Sequence, residues 1–376
     1  MKKFLALALA LCLSVMALAG CSGNGGAAEG GEAAANMKVA MVTDYGDITD
    51  QSFNQTTYEA CKAWASANGV DFNYFKPATN SDEDRISMIE KAVDEGYTVI
   101  VMPGYAFAPA IEKTAGEYPD VTFIALDVSA GDFSADYKLP SNLYSAVYQE
   151  ELCGYMAGYA AVKLGYTKLG FLGGMAVPAV VRYGYGFVQG ADAAAAETGA
   201  AVEINYAYGN QFFGDADITA AMDTWYAAGT EVVFACGGGI FTSAAEAAQK
   251  VGGKVIGVDV DQAASIDGTY GSGMTVTSAM KGLGATVNTM LTVVKEGKFA
   301  EYGGKIDNLG LVSDIPAENY VQLAPSTQFG TGFTEDDYNA LVKAMHAGQV
   351  TVNNDITISA ADNAKVVTVN DQGNIK

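Results

Sequence analysis

One histidine, His346, in 376 residues leaves no pair of imidazoles for a metal and no base for a cleft serine. A histidine-based metal site and a Ser-His-Asp hydrolase are therefore both excluded. Basic residues are also scarce: Lys and Arg number 21 against 43 Asp and Glu, a formal net charge of -22. Nucleic acid is excluded as a partner, because phosphate binding needs clustered cations, and the folded body has no charge with which to adsorb on anionic lipid. The acidity is that of a solvated surface. Five cysteines occur without any CxxC spacing. Cys12 lies in an apolar leader and Cys21 directly after it, which leaves Cys61, Cys153 and Cys236. Three scattered thiols support neither a disulfide framework nor a zinc site, and burial in the reduced form is expected.

What is present begins with that leader. Lys2 and Lys3 precede an apolar run from Phe4 to Ala19, the pattern of an export signal. It ends in Leu18-Ala19-Gly20-Cys21, which matches the lipobox of bacterial lipoproteins. Residues 1–20 are expected to be removed and Cys21 to be acylated, palmitate among the chains, on the extracytoplasmic face of a bacterial cell membrane. The lipid anchor is then the only membrane contact needed. Residues 21–36 are rich in Gly, Ala, Glu and Ser and read as a flexible tether.

Half of the residues are apolar and glycines number 44, a globular α/β composition long enough for two domains. Beyond the tether, short apolar runs alternate with segments of helical period, as in parallel sheets covered on both faces. Turn residues cluster over 138–145 and a second βα series follows. The crossovers between two lobes are placed so that 37–140 joins 263–313 and 141–262 joins 314–376. Lys281 is read as opening a helix to Glu296. Lobes so connected close on a ligand by hinge motion.

The stretch Met41–Gln55 reads as a strand, a polar loop and a helix entered at Phe53. Such corners lie at the carboxyl ends of strands, where open α/β sheets bind ligands. Asp44 and Phe53 would face that cleft, while Asp47 and Asp50 read as loop and cap residues. Gly237-Gly-Gly239 follows a strand but has neither the GxGxxG pattern nor a P-loop lysine.

The segment Asp44 to Asn54, D-x-x-x-x-x-D-x-S-F-N, resembles the opening signature of the basic membrane protein (BMP) family of lipoproteins. Further similarities follow in order: Phe123-Ile-Ala-Leu-Asp127, Tyr148–Ala161 with Gly154 and Gly158, Leu169-Gly-Phe-Leu-Gly-Gly174, Phe213-x-Asp215, the Gly237–Gly239 turn, Ile256-Gly-Val-Asp259 and Thr277-Ser-x-x-Lys281. The resemblance implies a two-lobed type I periplasmic-binding-protein fold, each lobe a doubly wound, mostly parallel sheet with the ligand cleft between them. It also implies the substrate-binding component of an ABC transporter, a monomer that captures purine nucleosides and delivers them to a permease, with no cofactor, metal or catalytic residue.

Carried over by position, the resemblance implies that Phe53 and Phe213 sandwich the base. Asp44 and Asp127 take hydrogen bonds from its edge, and Gly239, Asp259 and Lys281 hold the ribose. Phe212 precedes Phe213, so a one-residue register decides which ring stacks. Each position also has a plainer role: Phe53 as core, Asp259 as a helix cap, Lys281 as a surface lysine. Three carboxylates against one lysine, with no arginine, make the site negative and favour nucleosides over nucleotides. Two other functions fit the same cleft: a surface receptor that senses a ligand without transport, and a secreted nucleoside hydrolase using paired carboxylates.

Overall fold

The computed structural model describes residues 36–376. The signal segment, Cys21 and the tether up to residue 35 lie outside the described residues. The first unit runs β1 (Lys38–Val42), α1 (Phe53–Asn68), β2 (Asp71–Phe75), α2 (Asp82–Asp94), β3 (Val99–Pro103), α3 (Ala108–Thr114), β4 (Thr122–Leu126) and β5 (Leu143–Tyr148). The second runs α4 (Glu150–Lys163), β6 (Lys168–Gly173), α5 (Pro178–Thr198), β7 (Glu203–Tyr208), α6 (Ala216–Ala227), β8 (Val232–Cys236), α7 (Phe241–Val251), β9 (Lys254–Asp259), α8 (Ala263–Tyr270) and β10 (Thr275–Lys281). The remainder supplies α9 (Leu283–Lys295), β11 (Lys305–Leu309), β12 (Val321–Leu323), α10 (Glu335–His346) and β13 (Thr368–Asn374).

Two sheets result, in the orders β11-β5-β4-β3-β1-β2 and β12-β10-β9-β8-β6-β7-β13. All pairings are parallel except β10 with β12. Central strands such as β3 (VIVMP) and β8 (VVFAC) are buried at every position, as expected where helices cover both faces. Pro103 is tolerated because it ends its strand. Helix starts are fixed by local chemistry. Asp50 accepts from the backbone N–H groups of Ser52, Asn54 and Gln55 at the head of α1, and Asp215 accepts from Asp217 and Ile218 at the head of α6.

Sheet membership moves the crossovers from their expected places. Strand β5 begins inside the segment read as turns and pairs with β4, so the first sheet extends past residue 140 to Tyr148. Pro140, Ser141 and Asn142 are turn residues, but an apolar strand follows them directly. The second sheet extends past residue 262, because β10 pairs with β9 up to its end. Lys281 is thus the last residue of a strand, and the helix it was read as opening begins two residues later, at Leu283. Strand β10 (TVTSAMK) runs past the expected strand Met274–Thr277 to Lys281, and its hydroxyls are buried and paired, as in Thr277 Oγ1 to Thr327 Oγ1 at 2.6 Å. Helix α9 then returns to the first lobe, where Trp64 Nε1 of α1 donates to Thr292 Oγ1 at 2.9 Å.

The chain crosses between sheets after β5, after β10 and after β11. These crossings are tied together: Gln149 N donates to Leu309 O at 2.9 Å, Gly282 N to Tyr320 O at 2.7 Å, and Tyr320 N to Gly310 O at 3.0 Å. Helix α4 leaves this junction packed closely on α5. A side chain at Gly154 or Gly158 would collide with the carbonyls of Tyr183 and Phe187. The three cysteines Cys61, Cys153 and Cys236 are buried and unpaired. No helix among the described residues is long and apolar enough to cross a membrane.

Candidate functional site

The carboxyl ends of both sheets face a common cleft of about 480 Å³. Each residue singled out from the sequence borders it. Asp44 lies two residues beyond β1, Phe53 begins α1, and Asp127 directly follows β4. From the other side come Phe213 in the loop between β7 and α6, Gly239 after β8, Asp259 ending β9 and Lys281 ending β10. The placement follows from strand polarity, since every parallel strand delivers its next loop to the same edge.

Lys281 is the electrostatic centre of this cleft. Its Nζ lies 2.5 Å from Asp127 Oδ2, 3.2 Å from Glu150 Oε1 and 3.9 Å from Asp259 Oδ1. The ring faces of Phe53, Tyr183 and Tyr148 surround it at 5.2, 5.5 and 5.6 Å. Burial works against the ammonium, but Asp127, Glu150 and Asp259 together hold its pKa above the usual lysine value. For the Asp127 carboxyl, burial outweighs the attraction of Lys281 and raises the pKa to about 6. Asp127 Oδ1 is buried without a hydrogen-bond partner. That oxygen is an acceptor left without a donor beside the cleft.

Asp127 and Asp259 both hold left-handed backbone conformations, with φ of 60° and 65°. Aspartate tolerates this better than most residues, and such strain concentrates at binding sites. Asp259 Oδ2 accepts from Ser52 Oγ at 2.7 Å, a bond between lobes, and burial raises its pKa. Asp44 Oδ1 accepts from Tyr45 N at 2.6 Å and Gly46 N at 2.7 Å. Burial raises its pKa in spite of those donors. Asp50 acts as the cap expected for it.

The two phenylalanines after β7 differ in setting. The Phe212 ring lies over Gly174 and Gly237, where an added Cβ would strike it, whereas Phe213 is 59% exposed. Gly239 N donates to Phe212 O at 2.9 Å, which fixes the Gly237–Gly239 turn against this loop. Phe53, which could have been plain core, lines the cleft and also packs, partly buried, against the core.

Two charged residues of the site were missed from sequence. Glu150 is fully buried, and its Oε2 accepts from Arg182 Nε at 2.6 Å. Arg182 itself lines the cleft, which corrects the expectation of a site without arginine. The available signal was the Glu150-Glu151 pair at the start of an otherwise apolar helix, where buried charge needs a partner. The cleft remains acidic. Against Arg182 and Lys281 stand Asp44, Asp127 and Asp259, with Asp47, Asp50 and Asp132 nearer the rim. No group of His, Cys, Asp and Glu among the described residues could hold a metal ion.

Two parallel α/β lobes, joined by three crossings and enclosing a polar cleft between their strand ends, define the type I periplasmic-binding-protein fold. Solved structures show the same fold. An ABC transporter solute-binding protein from Conexibacter woesei aligns at a TM-score of 0.64 and 22% identity, covering 85% of this chain and 99% of that one. The arabinose-binding protein AraP from Geobacillus stearothermophilus aligns at 0.54 and 14%, covering 73% and 94%. The chain belongs to the PnrA-like family of ABC transporter substrate-binding proteins, which residues 37–323 match. The ABC transporter nucleoside-binding protein BmpA of Lactococcus lactis subsp. cremoris is 31% identical over 323 residues, 81% of this chain and 88% of that protein. Family membership makes this a substrate-binding protein and not an enzyme, which removes the hydrolase alternative.

Proposed function

We propose that this protein captures purine nucleosides outside the cell membrane, anchored there through lipid on Cys21, and hands them to an ABC permease. Phe213 and Phe53 stack on the base from opposite lobes, Asp44 and Asp127 accept from its edge, and Gly239, Asp259 and Lys281 hold the ribose. The observation that carries this is Lys281 and its cleft: a buried ammonium shared by one carboxylate from each lobe and an unpartnered acceptor on Asp127, with the exposed Phe213 ring lining the same cleft. A ligand with a flat ring and several O–H and N–H donors satisfies all three. Base stacking contributes about 1–3 kcal/mol, enough to prefer a nucleoside to a simple sugar. A cleft of about 480 Å³ is within the range for small-molecule sites. The name of the Lactococcus relative supports the same ligand class.

A thermal-shift screen of nucleosides, free bases, sugars and amino acids tests this. A ligand present at a hundred times its Kd stabilises the folded state by about 2.7 kcal/mol, so purine nucleosides should raise Tm clearly. A shift produced only by sugars or by amino acids overturns the assignment.

A further inference from the structure

At one end of the cleft, two phenols converge on one atom of the other lobe. Tyr45 Oη lies 3.6 Å and Tyr105 Oη 3.7 Å from the thioether sulfur of Met175. Tyr45 follows Asp44 directly and donates its backbone N–H to that carboxylate. Tyr105 follows Gly104, whose α-carbon backs on the same carboxylate so closely that an added Cβ would sit 3.0 Å from Asp44 Oδ2. Both tyrosines line the cleft and are half-buried. A thioether is a weak acceptor, so two good donors stand beside a poor partner. This cluster has no place in the positions carried over by resemblance.

We propose that Tyr45 and Tyr105 form a specificity clasp that donates two hydrogen bonds to one exocyclic carbonyl oxygen on the base edge, selecting 6-oxopurine over 6-aminopurine nucleosides. The inference rests on the nucleoside assignment above. Its geometric basis is the convergence on a single point. A carbonyl oxygen has two lone pairs and can accept from both phenols, whereas a ring nitrogen offers one and an amino group none in practice. Asp44 beside them, as a carboxylate, only accepts, and so matches the N1–H that a 6-oxopurine carries and adenine lacks. The edge of a 6-oxopurine, with O6 accepting and N1–H donating, is complementary to two convergent phenols with an acid beside them. An adenine edge in the same pose would turn its amino group toward the two donors. Sites built to hydrogen-bond one functional group discriminate strongly against an analogue that lacks it, because buried polar groups are then left unpaired.

Inosine and adenosine differ at this edge alone and are the probes of choice. Calorimetry on the wild-type protein should give inosine an advantage of about tenfold or more. The double variant Tyr45→Phe, Tyr105→Phe keeps both rings and removes both hydroxyls, and an unshifted ligand-free melting curve verifies its fold. It should lose most of its inosine affinity while adenosine binding changes by less than about threefold. Equal wild-type affinity for the two nucleosides overturns the clasp, as does a double variant that keeps the preference or weakens both ligands alike. Wild-type protein that binds neither nucleoside but responds to another ligand class overturns the nucleoside assignment, and the clasp with it.

Discussion

Asp127 and Asp259 occupy the same position in the two lobes, and both turn their carboxylates to Lys281. The strand orders β11-β5-β4-β3-β1-β2 and β12-β10-β9-β8-β6-β7 superimpose β4 on β9, so each aspartate ends or follows the equivalent strand. Each has a left-handed backbone, with φ of 60° and 65°. A pseudo-twofold relation absent from the residue pattern is thus present in the site. Lys281 lies at its centre, one residue before the chain crosses back to the first lobe. A ligand that competes for its ammonium acts at the base of the hinge itself.

Replacing Lys281 by Met would leave Asp127, Glu150 and Asp259 buried with only Arg182 to balance them. Breaking a buried ion pair from one side typically costs about 3–5 kcal/mol. Urea denaturation of ligand-free Lys281→Met at neutral pH should show a loss of that order together with loss of ligand binding. Unchanged stability would mean that the cluster contributes nothing to the fold.

Phe213→Ala should weaken purine nucleoside binding by about 1–3 kcal/mol with little change in ligand-free Tm, since its ring is largely in solvent. Phe212→Ala should do the reverse, because that ring rests on Gly174 and Gly237. Calorimetry and melting curves on the pair would assign the stacking ring. An exchange of the two phenotypes would move it to Phe212.

Burial raises the Asp127 pKa to about 6 in the folded protein, against about 3.9 for an aspartate in an unfolded chain. Between these values the folded state binds more protons, so the contribution of Asp127 to stability is present in acid and is lost as pH rises through about 6. Asp44 and Asp259 shift in the same direction, which makes the difference between wild type and Asp127→Asn the useful quantity. Melting temperatures from about pH 4.5 to 7.5 should fall more steeply with pH in the wild type than in the variant. Parallel curves would show that Asp127 does not titrate in this window.

A nucleoside 5′-monophosphate brings negative charge into a cleft where acids outnumber Arg182 and Lys281, and the Arg182 Nε is already engaged by Glu150. Calorimetry should find inosine 5′-monophosphate weaker than inosine by about tenfold or more. Comparable affinities would indicate that Arg182 can leave Glu150 to receive phosphate.

Much of the site was legible before any coordinates, for a definite reason. Apolar strands followed by Asp, Gly or Lys are local patterns, and parallel sheets gather all such strand ends on one edge, so Asp44, Asp127, Gly239 and Asp259 could be placed from sequence order. Lys281 is placed by resemblance, but its setting differs from the expected helix start because the strand expected at Met274–Thr277 continues through Ser278, Ala279 and Met280, which carry no clear apolar period. Strand β5 was hidden by the turn residues ahead of it, and the crossovers moved accordingly.

The sequence by itself determined the α/β units, the strand-end loops and the acidic balance, since hydrophobic period, turn chemistry and net charge are properties of neighbours along the chain. Only the tertiary structure decided which charges share Lys281. Glu150 meets Arg182 because α4 and α5 approach closely through glycines, and Tyr45 and Tyr105 meet Met175 because the two lobes face each other. Contacts between residues 32 to 154 positions apart depend on how the elements pack, and no local pattern encodes them.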